Sequence, residues 1–350
     1  MNSTTLQARC EGVITETADV KVFTLRVQGA HTEFLNNLEP GKHVALHYPD
    51  TSGTRHQRLY SITRKQGADL FEIAVKRAGH GGVSDHLHAT LREGSIAPIQ
   101  FVAGEISLAS VAGCQRVGML AGGIGVTLPV ALLRGLRERS RRGSSVPNVT
   151  LLLCVSTIAD IPFLHELLEL ELTTHWFSLQ VFVTREAVKS NGHFKQGRPG
   201  DKDLSLLDMP ETVVICGSHR FAQGLREHTL TMFPTSKLLI ESFTPPTALV
   251  TTEPTDAQAS VRLHLTTNDQ MLEMPAGKSL LDMLESSGIA VRSQCRAGIC
   301  GNCRIKVSDG EYTLEPDFCL SDQDKSEGYA LACCTFPQSG TLKVDLNPQA

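Results

Sequence analysis

The 350-residue sequence has no run of about 18 apolar residues, so no segment is suited to cross a bilayer as a helix. Residues 1–12 lack a basic stretch followed by an apolar one, and with no secretory signal read there the expectation is a soluble, cytoplasmic chain. No basic block is present, nor a basic stripe interleaved with aromatics, so nucleic-acid binding has no support. Neither sign of charge dominates: 33 Lys and Arg stand against 37 Asp and Glu, a net charge of −4. That excess is localised, because residues 259–350 hold 8 basic and 12 acidic residues and the remainder holds 25 of each.

What is present points to a modular protein. The length exceeds one ordinary domain and suits two or three, each able to bury its own core. From residue 12 to about 108, short alternating runs such as 20–27 and 43–48 are broken by Gly, Pro and Asn turns, which predicts an antiparallel β-barrel. From residue 117 the rhythm becomes apolar strand, glycine turn, amphipathic helix: 117–120, then 122–125, then a helix through about Arg139. Further buried strands are read at 150–155, 178–184 and 212–216. Strands alternating with helices predict a doubly wound parallel sheet. Residues 244–259, rich in Pro and Thr, mark a linker. A small α+β unit follows, with two strand-like runs, a helix over 279–287, a cysteine loop and a terminal strand at 341–346. The expected division is 1–110, 111–243, 244–259 and 260–350.

In a reducing compartment the ten cysteines read as metal ligands or buried thiols rather than a disulfide framework. Cys295, Cys300, Cys303 and Cys333 are separated by four, two and 29 residues. That is the ligand spacing of a plant-type [2Fe–2S] cluster. One loop must bring three thiolates together, and Gly298 and Gly301 allow its backbone to approach the inorganic sulfides. Zinc is the competing reading, although zinc ligands usually form two Cys-x2-Cys pairs and only one exists here. Cys10, Cys114, Cys154 and Cys319 read as ordinary thiols. His80, His86 and His88 form the one tight histidine group and read as surface residues rather than a metal site.

The local text is more specific than the spacing. Arg296-Ala297-Gly298-Ile299-Cys300-Gly301-Asn302-Cys303, with Gly328-Tyr329-Ala330-Leu331-Ala332-Cys333, resembles the cluster loop and fourth-ligand strand of plant-type ferredoxins, over residues 261–346. That register selects Cys333 over the adjacent Cys334 and implies a β-grasp domain.

Upstream, Arg58-Leu59-Tyr60-Ser61, then Val75-Lys76, then Gly81-Gly82-Val83-Ser84, resembles the flavin-binding barrel of the ferredoxin–NADP reductase superfamily, in wording close to the reductase part of flavohaemoglobins. The resemblance implies that Arg58 and the Gly82, Val83, Ser84 turn hold a flavin pyrophosphate. Tyr60 and Ser61 would lie at the isoalloxazine, with Leu59, Val75 and Lys76 beside them. Ala121-Gly122-Gly123-Ile124-Gly125-Val126-Thr127 resembles the nicotinamide loop of the same superfamily. There Pro usually follows Thr directly, so the intervening Leu128 raises the expectation of a shifted helix start. Cys216-Gly217-Ser218 corresponds to a later Cys-Gly-Pro element near the nicotinamide, and Glu241-Ser242-Phe243 to the segment that puts an acid and an aromatic near the flavin.

The domain order resembles the reductase subunits of multicomponent oxygenases, such as those of phenylacetyl-CoA epoxidase and Rieske oxygenase systems. It implies hydride transfer from NAD(P)H to flavin, then single electrons through the cluster to a terminal oxygenase. Reduction of another metalloprotein, hybrid-cluster or haem, is the alternative enzyme, and a redox-sensing module the non-enzymatic one. The Gly-Gly-Val-Ser turn leans to FAD over FMN. The lack of Arg or Lys in Val155-Ser156-Thr157-Ile158-Ala159-Asp160 leans to NADH over NADPH, with Arg185 after the next strand the basic residue that would favour NADPH instead. Seven acids between Asp309 and Glu327 against Lys325 alone suggest an acidic docking face for the acceptor, with Arg292, Arg296 and Arg304 beside the cluster loop complicating it.

Overall fold

The computed structural model describes residues 5–29, 31–189, 192–242, 260–293, 295–315 and 317–346, with Phe101 as backbone only. Two compact units result, one from residues up to 217 with 224–241, the other from 218–223 with residues from 242 onward.

The first unit opens with a closed barrel of six strands: β1 (Leu6–Thr17), β2 (Val20–Val27), β3 (His43–Pro49), β4 (Arg55–Lys65), β5 (Leu70–Lys76) and β6 (Ile96–Ala103). They are ordered β1-β2-β5-β4-β3-β6, and every neighbouring pair is antiparallel. The two-residue period lets alternate side chains fill the interior, where Ala8, Cys10, Phe23, Leu25, Leu46, Ile62, Phe71, Ile73 and Ile99 are wholly buried. Closure leaves no exposed strand edge. Helices α1 (Thr32–Asn37) and α2 (Val83–Thr90) are inserted between strands, α2 burying Val83 and Leu87.

The same unit continues into a six-stranded parallel sheet: β7 (Arg116–Gly122), β8 (Asn148–Val155), β9 (Phe177–Val183), β10 (Phe194–Gln196), β11 (Thr212–Cys216) and β12 (Lys237–Glu241), ordered β10-β9-β8-β7-β11-β12. Buried strands read as near-continuous apolar runs, as in Leu151-Leu152-Leu153 and Val213-Val214-Ile215. Helices α3 (Thr127–Arg141), α4 (Leu164–Thr173), α5 (Asp201–Leu204) and α6 (His219–Met232) connect the strands. The strand order reverses between β7 and β11, a topological switch point where ligands bind in such sheets.

In the second unit β13 (Ser260–Leu265), β14 (Gln270–Pro275), β15 (Arg304–Leu314), β16 (Tyr329–Leu331) and β17 (Thr335–Asp345) form a mixed sheet ordered β14-β13-β17-β15-β16. Helix α7 (Leu280–Ser286) packs Leu280, Leu281, Met283 and Leu284 into its core, and the Ser279 hydroxyl caps it by accepting from the Asp282 amide. This is the α+β grasp expected. The terminal strand is longer than its sequence signal, starting at Thr335 immediately after the cysteine pair. A short helix, α8 (Asp322–Ser326), precedes β16. The linker read at 244–259, and Phe243, lie outside the described residues. Among the described residues no helix is long and apolar enough to cross a membrane.

Candidate functional site

Parallel pairing brings the carboxyl ends of three strands into line at the switch point. Cys216 of β11 stands opposite Ala121 of β7 on one side and Glu241 of β12 on the other. Barrel strand β4 supplies the fourth member, because Ser61 Oγ donates a 2.8 Å hydrogen bond to Glu241 Oε1. Cys216 Sγ lies 4.0 Å from that same oxygen, and His43 Nδ1 lies 3.7 Å from Oε2. Ser61, Cys216, Glu241 and His43 are all buried. Burial and then the neighbouring Glu241 charge push the Cys216 thiol well above its ordinary pKa, so the sulfur stays neutral.

The glycine loop closes over this point. After β7, Gly123 takes φ +54 and residues 123–126 make a tight turn into α3. A Cβ on Gly125 would lie 2.3 Å from the Cys216 carbonyl oxygen, so only glycine lets the two turns touch. The helix begins at Thr127 itself, with Pro129 its third residue. An amide at that position has no intrahelical acceptor, which is why proline is tolerated there.

On the barrel, Arg58 and Tyr60 alternate with Leu59 and Ser61 along β4. Arg58 is exposed and donates to the Gln57 carbonyl, whereas Tyr60 is half-buried, burial raising its phenol pKa. The turn before α2 is organised by Asp85, whose carboxylate accepts from the amides of Gly79 (2.8 Å), His80 (3.0 Å) and Gly82 (3.1 Å). Those amides, Gly79 first, hold the Asp85 pKa below the usual carboxylate value. Ser84 Oγ accepts from Ala78 N–H at 3.2 Å, and Gly82 is the residue preceding the helix. Lys76 is exposed at the end of β5.

Two expected contacts are not presented as side chains. Val75 and Val83 are buried in the barrel core, and the Val75 carbonyl is taken by His88 Nε2 at 2.8 Å. His86 Nδ1 likewise bonds the Asp50 carbonyl, so these two histidines brace the barrel.

In the second unit the sulfurs of the four expected ligands stand in two pairs, with Cys334 Sγ 3.7 Å from Cys333 Sγ beside the second. The Cys300 thiol contacts Cys295, and Cys303 Sγ is 3.4 Å from Cys333 Sγ. No group of three or more His, Cys, Asp or Glu side chains among the described residues is placed to hold a single metal ion. Two sulfurs per iron is the donor arrangement of a dinuclear cluster, and the four cysteines fit it. Three backbone amides, of Ala297, Ile299 and Cys300, each point to Cys295 Sγ at 3.4 Å. With the Cys300 thiol first among the causes, they draw the Cys295 pKa downward. Gly298 at φ +72 and Gly301 at φ +70 shape the loop. Arg296 ties it to α7 through Asp282 (2.6 Å) and Glu285 (2.8 Å), while Arg304 pairs with Asp324 at 2.5 Å and stacks on Tyr329.

His43 and Arg134 were not singled out by the sequence. His43 follows a Pro-Gly-Lys turn and is joined to Glu241 only by tertiary folding, while Arg134 looks like any helix-surface arginine.

Comparison with known proteins agrees with the geometry. Residues 8–107 match an oxidoreductase FAD-binding domain and residues 263–338 a 2Fe-2S iron-sulfur cluster binding domain. The glycine betaine monooxygenase reductase subunit of Chromohalobacter salexigens is 28% identical across 95% of this chain and 93% of its own. NADH oxidoreductase HCR of Escherichia coli is 27% identical across 80% of this chain and 81% of its own. Phthalate dioxygenase reductase has the same fold, with a TM-score of 0.63, 22% identity and 98% of both chains covered. The chain is therefore an NAD(P)H-dependent oxidoreductase with an FAD-binding domain and a C-terminal [2Fe–2S] ferredoxin domain, similar in build to the ferredoxin–NADP reductase type.

Proposed function

We propose that this chain is the reductase component of an oxygenase system, taking hydride from NADH and delivering electrons one at a time to a terminal oxygenase of the Rieske type. The observation that carries this reading is the buried Ser61–Glu241–Cys216 set at the junction of barrel and parallel sheet, in a chain that also holds paired cluster sulfurs. The division into a flavin domain (1–110), a nicotinamide domain (111–243), a linker and a ferredoxin domain (260–350) belongs to the same proposal.

A bound flavin accepts hydride as an electron pair, and a [2Fe–2S] cluster passes electrons singly. The residues that would hold the FAD are Arg58, for its pyrophosphate, Tyr60 and Ser61, for its ring, and the turn from Gly82 to Ser84 at the start of α2. The Ser61 hydroxyl donates its hydrogen bond to Glu241, which leaves the Ser61 oxygen lone pairs free to accept from a flavin N–H. Gly122, Gly123, Gly125 and Thr127 would receive the nicotinamide dinucleotide, with Cys216 and Gly217 closing the reacting end. Cys216, held neutral by burial and then by the Glu241 charge, supplies a small uncharged wall and no nucleophile. The four cysteines would ligate the cluster.

The preference for NADH over NADPH is supported by Glu186, whose carboxylate accepts the Ile158 amide at 2.8 Å beyond the end of β8 and would repel a 2′-phosphate. The oxygenase partner is supported by the monooxygenase reductase relative. The relative named only as an NADH oxidoreductase supports reduction of a different acceptor as the second reading. A cytoplasmic location goes with both. The test is anaerobic titration of the purified chain with NADH and with NADPH, followed by addition of candidate oxygenases. Faster flavin bleaching with NADH, and reoxidation by an oxygenase, are expected. Faster bleaching with NADPH, or reoxidation only by a haem or hybrid-cluster protein, would overturn the corresponding part.

A further inference from the structure

Arg134 lies on α3 seven residues after Thr127, two helical turns or about 10 Å along the same face. Its guanidinium ends in the barrel. Nη1 donates to the Thr63 carbonyl at 3.1 Å and lies 3.5 Å from Glu72 Oε2, while Nε and Nη2 grip Glu166 of α4 at 2.7 and 2.6 Å. The guanidinium also sits 5.2 Å from the ring centre of Phe163. Thr63 is two residues beyond Ser61 on β4, and it falls in a register shift where Ile62 and Arg64 have register partners on β5 and Thr63 has none, its hydroxyl instead donating to the Glu72 carbonyl at 3.3 Å. The bulge frees a carbonyl, and Arg134 takes it.

Around this contact the packing is close. A Cβ on Gly41 would lie 3.3 Å from Leu132, and one on Gly135 would lie 3.0 Å from Leu108. Arg134 is largely buried and Glu72 more so, and a guanidinium with this many fixed acceptors has one orientation. Arg64 also faces the two acids, 3.5 Å from Glu72 and 3.8 Å from Glu166.

We infer that Arg134 is a positioning residue for hydride transfer, fixing the glycine loop at the head of α3 against β4 beside Ser61. This rests on the reading above that those two elements hold nicotinamide and flavin. A displacement of about 1 Å between donor and acceptor is enough to cost a large factor in rate. A purely structural Arg134 would instead contribute to stability alone.

The experiment uses the holoprotein with Arg134→Gln, Arg134→Lys and Glu166→Gln. Rapid mixing with NADH gives the limiting rate of flavin bleaching and the dissociation constant for NADH, and the charge-transfer absorbance on NAD+ binding to reduced protein reports ring alignment. Hydrogen exchange of residues 62–65, measured without added nucleotide, reports the β4 contact. Arg134→Gln is expected to lower the limiting rate at least tenfold, weaken the charge-transfer absorbance and speed exchange at 62–65, with NADH affinity within twofold. Arg134→Lys recovers part of the rate, and Glu166→Gln falls between. Normal charge-transfer absorbance and limiting rate per bound flavin in all three variants, whatever their melting temperatures, would overturn the inference. Failure of the unmodified protein to bleach with NADH would instead overturn the reading beneath it.

Discussion

Ser61 and Glu241 are 180 residues apart in sequence and 2.8 Å apart in space, a hydroxyl from the antiparallel barrel bonded to a carboxylate from the last strand of the parallel sheet. The bond orients the Ser61 oxygen. Ser61→Ala should therefore lower the limiting rate of flavin bleaching by NADH about 100-fold, the scale for losing one preorganised hydrogen-bonding group at a reacting centre. Glu241→Gln should have a smaller effect, since an amide oxygen still accepts from Ser61. Stopped-flow bleaching decides this, and an unchanged rate in Ser61→Ala would remove the hydroxyl from the chemistry.

The turn ahead of α2 is held by the Asp85 carboxylate, whose folded pKa lies below its ordinary value of 3.8. A depressed carboxyl pKa contributes stability that is complete above the unfolded pKa and is lost as pH falls through the folded one. Flavin affinity should accordingly be flat from neutral pH down to about 5 and drop below about 4. Asp85→Asn should weaken flavin binding already at pH 7, measured by flavin fluorescence on dilution. Wild-type affinity in that variant would count against the role given to the turn.

Cys333 pairs with Cys303, while a Cβ on Gly298 would lie 2.7 Å from Cys334 Sγ, which puts the second thiol against the loop backbone. Cys333→Ser should lose the visible and EPR spectrum of the cluster, and Cys334→Ser should keep both. The opposite pattern would reassign the fourth ligand.

Three of the seven acids between Asp309 and Glu327 are paired within the C-terminal unit, Asp309 with Lys343, Asp317 with Lys325 and Asp324 with Arg304. The acidic run is thus less charged than its sequence suggests, and Asp324 also caps α8. Of the other four, Glu311, Asp322 and Glu327 are exposed, and the last two stand at the ends of α8, where they can steer an acceptor. Charge steering is screened over about 8 Å at physiological ionic strength. Electron delivery to the acceptor should fall with added salt and with Asp322→Asn and Glu327→Gln together, leaving flavin bleaching by NADH unchanged. A delivery rate indifferent to both would exclude the acidic face.

Much of this architecture could be read from residue order. Strands over Val20–Val27 and Thr212–Cys216 stand where alternation and apolar runs put them, because a closed barrel and a buried parallel sheet impose those periods. The glycine loop and cysteine loop were legible because their chemistry demands particular residues at particular spacings. The contacts between elements were not. His43 beside Glu241, and Arg134 reaching the bulge at Thr63, depend on how β3, β4 and α3 come together, and a lone His or Arg carries no periodic signal. The compensation of the acidic run was hidden for the same reason, since Lys343 meets Asp309 only by strand pairing.

The central claim is that one chain converts a hydride into single electrons leaving through its own cluster. Anaerobic mixing with one equivalent of NADH, frozen at intervals and examined by EPR and visible absorption, tests it most directly. Flavin bleaching should come first and the reduced-cluster signal second, and cytochrome c reduction should collapse in Cys333→Ser while flavin bleaching persists. Bleached flavin with no cluster signal, or cytochrome c reduction undiminished in Cys333→Ser, would contradict the account.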